Sequence, residues 1–116
     1  MNVKFCNLYS GSSGNCLFIK YKDTRMIIDA GRSGIAIEKA LREIDEDPSL
    51  LDAVLVTHDH SDHVSGVGVM SRRYDLPIYA NAGTWSQISK TLGKIKEKNI
   101  KQFEAGKAFE LSIIHI

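Results

Sequence analysis

Short apolar runs broken by glycine, serine and asparagine open the chain, and a helical rhythm follows them. "VKFCNLY" (3–9) and "CLFIKYK" (16–22) are rich in β-branched and aromatic residues and flank the turn "SGSSGN", which predicts two neighbouring strands. "RMIIDAG" (25–31) predicts a third. Its run Met26, Ile27, Ile28 is apolar on both faces and breaks off at Asp29. Beyond it, Ile37, Leu41 and Ile44 recur at helical spacing within "SGIAIEKALREI", a helix that Ser33 can cap and Pro48 cannot continue. "LDAVLVT" (51–57) reads as another buried strand. Strand, helix, strand in that order predicts a crossover between parallel strands. Asp29 and the segment after Thr57 then share the carboxyl edge of a sheet, where α/β proteins bind ligands. Downstream, 61–74 reads as a helix weakened by Gly66 and Gly68, 76–80 as a strand, 82–93 as a helix, and 107–116 as a closing strand.

Composition narrows the class without choosing a function. The 116 residues are 43% hydrophobic and 25% charged, values of an ordinary globular domain. Fifteen basic and fourteen acidic residues leave a net charge of +1, so no bulk charge argues for or against a nucleic-acid partner. The first residues lack a signal peptide's charged-then-apolar run, and no apolar stretch is long enough for a membrane span. The expectation is a cytoplasmic protein whose two cysteines, Cys6 and Cys16, stay as reduced, buried thiols, with a bridge between them across neighbouring strands as the alternative.

Chemistry concentrates in "THDHSDH" (57–63), which holds three of the four histidines. Residues two apart in an extended segment point the same way, so His58 and His60 can converge on one metal. Asp62 and His63 come a turn later and suit a second. Imidazole and carboxylate donors favour zinc, with manganese or iron as alternatives. Two such ions about 3.5–4 Å apart can lower the pKa of a shared water, which makes a metal-bound hydroxide the expected nucleophile and Asp62 part of the catalytic group. A polar loop whose histidines only cap a helix is the plainer alternative, and four potential ligands in six residues speak against it.

This signature is similar to that of the metallo-β-lactamase superfamily, and "MIIDAG" resembles its first motif. By that resemblance Asp29 supports the metal loop from behind the ligands. "SGSSGNC", "THDHSDHVSG" and "LPIYANAGTW" together resemble the YycJ/WalJ-type branch, whose members resemble phosphodiesterases and 5′-to-3′ DNA exonucleases. The resemblance implies a substrate that is nucleic acid or another phosphodiester. A metallohydrolase of a different ester or thioester is the alternative. The turn residues Ser10, Ser12, Ser13 and Asn15 are candidates to face the substrate, since their hydroxyls and glycine-freed amides could cradle an anion. A Gly/Ser hairpin needs no such role.

The superfamily fold is a four-layer αββα sandwich, and residues 1–116 resemble its first αβ half only. A third histidine for one metal, a bridging aspartate and a last histidine for the other are expected from later motifs. The remaining histidine, His115, lies in the apolar pattern "ELSIIHI" and reads as structural or exposed. A piece of a longer protein is therefore expected, with an apolar sheet face open to a second copy. A catalytically silent fragment with a partial metal site is the non-enzymatic alternative. Lys94, Lys96, Lys98 and Lys101 read as a solvated face, Trp85 as a core anchor, and Tyr9 and Tyr79 as core or surface residues.

Overall fold

A computed structural model describes residues 3–104, with 110–111 and 114–115. Six strands form one mixed sheet in the order β1-β2-β3-β4-β5-β6. They are β1 (Val3–Tyr9), β2 (Cys16–Tyr21), β3 (Thr24–Ile28), β4 (Ala53–Leu55), β5 (Ile78–Ala80) and β6 (Ile100–Gln102). The first three strands pair antiparallel, while β3 through β6 run parallel. The crossover expected from the sequence joins β3 to β4 through α1 (Gly34–Glu43), which Ser33 caps by accepting from the Ala36 amide. Then come α2 (Ser61–Val64), α3 (Val67–Tyr74) and α4 (Ala82–Ile88).

Alternation along the strands divides the apolar residues between two faces. Phe18, Ile27, Val54 and Ile78 are fully buried on one face with Ile37, Leu41, Met70 and Ile88 of the helices. Trp85 belongs to this core, and its indole N–H donates to the Lys101 carbonyl at 2.6 Å. The other face is a smaller cluster of Met26 and Ala53 with half-buried Ile19, Ile28, Leu55 and Tyr79. Phe5 lies across from Ile19 and is 65% exposed, so apolar surface continues to the sheet edge. Half-burial of Tyr79 on this face pushes its phenol above the ordinary range.

Four readings from the sequence change here. The helix expected over 61–74 breaks in two at Ser65 and Gly66. Gly66 donates to the Ala30 carbonyl at 2.7 Å, and a side chain there would lie 2.2 Å from the Arg32 carbonyl, so the chain bends to meet the 30–32 backbone. The helix expected over 82–93 ends as α4 at Ile88, with only turns beyond. The lysine segment supplies β6, whose three residues are all exposed and so carry no periodic signal. The described part of 107–116 is two short antiparallel strands, β7 (Glu110–Leu111) and β8 (Ile114–His115). The His115 side chain lies outside the described residues.

Both cysteines are free thiols, Cys16 buried and Cys6 half-buried. Cys6 pairs across from Phe18 and Cys16 across from Tyr9, so neither faces the other. Burial, with the Asp29 charge adding to it, pushes the Cys16 thiol up to about 12. Such a thiol is a packing residue and a poor nucleophile. Of the lysines, Lys96 and Lys98 lie 3.8 Å and 2.8 Å from the Asp75 carboxylate, and all four of the segment are exposed.

Glu46 is a charged residue buried at the sheet's edge. It accepts from Lys4 at 2.7 Å and Arg25 at 3.1 Å. Burial pushes its carboxyl up. The hydrogen bonds from Lys4 and Arg25, with the charges of Lys4 and Lys20, outweigh that and hold it below the usual range. A depressed carboxyl stabilises the fold above its unfolded pKa, and that contribution fades as pH falls through the folded value. Glu46→Gln should cost about 1 kcal/mol at neutral pH, kept small because Lys4 is partly exposed. Chemical melts from pH 7 downward should show the gap closing in acid; a gap independent of pH would count against the pairing.

Candidate metal centre

Three segments meet at the carboxyl edge of the parallel strands: the turn 10–15, the exit of β3, and the loop from β4 into α2. Asp29 leaves β3 in the left-handed region with φ 63°, which aspartate tolerates better than most residues. Its amide donates to the Leu55 carbonyl at 2.7 Å, fixing it beside the end of β4. Its carboxylate, 7% exposed, is fully engaged. Oδ1 accepts from the Thr57 amide at 2.8 Å. Oδ2 accepts from the Thr57 hydroxyl at 2.6 Å and from His63 Nδ1 at 2.7 Å.

These bonds set the tautomers of two histidines. Because a carboxylate only accepts, His63 carries its proton on Nδ1 and keeps a lone pair on Nε2. The single Thr57 hydroxyl proton is spent on Asp29, so at 2.8 Å the oxygen accepts from His58 Nδ1. His58 likewise presents Nε2 with a free lone pair. The two rings stand 4.6 Å apart between centroids. One donor atom from each of Asp29, His58 and His63 lies within 4.8 Å of the others. With Asp29 occupied by three donors, the two imidazole Nε2 atoms are the lone pairs on offer. Neutral imidazoles backed by a carboxylate suit a divalent ion.

The other sequence candidates are placed around this pair. Asp62 brings Oδ2 to 3.8 Å from His63 Nε2. His60 begins α2 with its ring 6.5 Å from that of His58, and its side chain is 76% exposed beside Asp59. Asn15 is tied inward. Its side-chain oxygen accepts from the Gly11 amide, while its side-chain nitrogen donates to the Gly11 carbonyl, the Asp62 carbonyl and Asp62 Oδ2. Ser10, Ser12 and Ser13 stand exposed on the same turn. Asn15 thus clamps the turn to the loop rather than facing outward. Thr57 passed unnoticed in the sequence; its one signal was its place between an apolar strand and the first histidine.

Backbone contacts weld the segments. Asn15 donates its amide to the Asp62 carbonyl at 2.8 Å, and Gly31 donates to the Asn15 carbonyl at 2.9 Å. Ala30 donates to the His63 carbonyl at 2.9 Å. Gly31 sits where a side chain would fall 1.8 Å from the Asp62 carbonyl oxygen and 2.6 Å from the Asn15 amide. Only a residue without Cβ fits.

A strand-edge site of two buttressed histidines and an adjacent aspartate, on a mixed sheet with helices against one face, defines a metal-site α/β protein. The chain belongs to the metallo-beta-lactamase superfamily, whose family profile matches residues 9–113. It is 45% identical over 109 residues to the exodeoxyribonuclease WalJ of Streptococcus pneumoniae serotype 2 (strain D39 / NCTC 7466), covering 92% of this chain and 40% of that protein. To the exodeoxyribonuclease YycJ of Bacillus anthracis it is 41% identical over 95 residues, 82% of this chain and 36% of the relative. The chain therefore spans about two-fifths of the length of these curated relatives. Among solved structures, the metallo-beta-lactamase SMB-1 aligns with a TM-score of 0.70 at 14% identity over 90% of this chain and 45% of that one, a likeness of fold. That fold implies divalent metal ions.

Proposed function

We propose that the full-length protein is a metal-dependent phosphodiesterase acting on nucleic acid, a 5′-to-3′ DNA exonuclease in its complete form. One observation carries the reading: the Asp29 carboxylate fixes His63 directly and His58 through Thr57, so two rings 4.6 Å apart between centroids both keep Nε2 as the lone pair for a ligand. The names of the relatives, both exodeoxyribonucleases, support the substrate class. In this reading His58 and His60 hold one ion and Asp62 and His63 a second, with zinc first and manganese or iron as alternatives. When bound, such ions supply Lewis acidity and a nucleophile from water at neutral pH. His60, now turned to solvent, would rotate inward to take its place. Asn15 holds Asp62 Oδ2, which fixes this carboxylate for its part in the catalytic group. Asp29 keeps the imidazoles in the right tautomer and touches no substrate.

Residues 1–116 form the first αβ half of the sandwich in this reading. The apolar face of Met26, Ala53, Ile19, Leu55 and Tyr79 is then covered by the rest of the protein or by a second copy. Among the described residues no helix is long and apolar enough to cross a membrane, and a cytoplasmic location fits the two free thiols. Native mass spectrometry of the full-length protein with zinc and then manganese should count two ions per chain. His58→Ala and Asp62→Ala should each lose most of the bound metal, and 5′-labelled DNA should be shortened only by the loaded wild type. Unchanged metal content in both variants would sink the assignment.

A further inference from the structure

Among the described residues one arginine has a guanidinium with no oxygen partner. Arg25 reaches Glu46, Arg42 and Arg73 reach Glu38, and Arg72 donates to the Leu92 and Lys94 carbonyls. Arg32 instead sits over the ring of Tyr9, its Cζ 4.4 Å from the centroid. The ring is itself fixed, because the Tyr9 hydroxyl donates to the Ala36 carbonyl at 3.2 Å. The arginine stem lies on Gly14, where a side chain would meet its Cδ at 2.4 Å and Cγ at 2.7 Å. Gly14 adjoins Asn15, whose side-chain nitrogen is 3.3 Å from Asp62 Oδ2 and 3.5 Å from His63 Nε2. The stem of a half-buried cation is thus packed on the turn that exposes Ser12 and Ser13, and Asn15 ties that turn to the 62–63 loop.

Stacking on tyrosine orders the side chain before any ligand arrives, and it leaves the in-plane donors of the guanidinium free. Those donors match two oxygens of a phosphate. We infer that Arg32 binds a phosphate group of the substrate next to the metal loop, with the turn serines adding hydroxyl donors. This rests on the reading of the substrate as a nucleic-acid phosphodiester. The glycine at position 14, with φ 142°, is the space the stem requires.

Binding measured without cleavage tests it. With metal removed by chelator, the anisotropy of a labelled single-stranded oligonucleotide should report the full-length protein's affinity, once with a 5′-phosphate and once with a 5′-hydroxyl. Arg32→Ala should bind about tenfold more weakly. The slope of log affinity against log salt should fall by about 0.7, the value for one phosphate contact on a single strand. A loss confined to the phosphorylated oligonucleotide assigns the terminal phosphate, and an equal loss on both assigns an internal one. Arg32→Gln keeps part of the stem against Gly14 and serves if the alanine variant does not fold. No binding by the wild type overturns the inference. So does an unchanged affinity and slope in the variants, whatever their melting temperature. If the loaded wild type cleaves no DNA, the proposed function falls separately, since the chelated assay does not depend on turnover.

Discussion

Asp29→Ala will weaken metal binding by about 10- to 100-fold, the range seen when a carboxylate behind a metal-binding histidine is removed. The substitution frees His63 Nδ1, the Thr57 hydroxyl and the Thr57 amide at once. It also leaves alanine at φ 63°, a conformation that costs about 1 kcal/mol or more for a residue with Cβ. Asp29→Asn separates the two effects. Asparagine tolerates the left-handed backbone and can still accept from the Thr57 amide. Its NH2 group, however, cannot accept from the Thr57 hydroxyl or from His63. Facing a donor, His63 would move its proton to Nε2 and lose the lone pair on offer. The asparagine variant should melt closer to wild type than the alanine variant yet bind metal nearly as poorly. Zinc competition against a chromophoric chelator, read beside thermal melts, checks both. Wild-type affinity in Asp29→Asn would show that the tautomer is set by some other contact.

Gly31→Ala should be the most disruptive glycine-to-alanine change among the described residues. Its Cβ would meet the Asp62 carbonyl oxygen at 1.8 Å, the Asp62 carbonyl carbon at 2.4 Å and the Asn15 amide at 2.6 Å. All three are backbone atoms, so no side chain can swing aside. The turn and the loop must part, and the bonds from Asn15 to Asp62 break with them. We expect a loss of about 3 kcal/mol or more, in the range that marks strain and broken networks rather than a surface change. Metal affinity should fall with it, because Asp62 is displaced. Gly83→Ala is the control: the nearest atom to its added methyl is the Asn81 side-chain oxygen at 3.6 Å, and α4 should accept it. Equal melting temperatures for the two variants would contradict the interlock.

The order of elements was legible because it rests on short-range periodicity. Ile37 and Leu41 had to share a helix face, and both are buried on the sheet. The runs at 16–22 and 51–57 read as strands, the second a buried one, and β2 and β4 fall within them. The histidine cluster was legible because its donors are neighbours in the chain. Contacts between distant segments were not. Nothing in "DAGRSG" shows that Gly31 abuts Asp62 or that Arg32 reaches Tyr9. Asn15 looked like a residue for a ligand because asparagine in a Gly/Ser turn has unspent polar groups; the loop at 62 uses them. The lysine segment hid β6 because an edge strand exposed on both faces has no alternation to read. Glu46 carries no signal of its own in the sequence, since only Lys4 and Arg25, far along the chain, explain its burial.

The interlock at Gly31 also has a consequence for how the molecule forms. Asn15 and Asp62, bonded through it, are 47 residues apart in sequence. Contacts of that separation carry a large loop-closure cost and are made late unless something local prepays it. The β1–β2–β3 meander is built from hairpin contacts and can assemble first, whereas the histidine loop must wait for β4 to dock beside β3. Until then His58 and His63 have no fixed spacing. Refolding should therefore show the ability to take up metal lagging behind the gain of sheet signal.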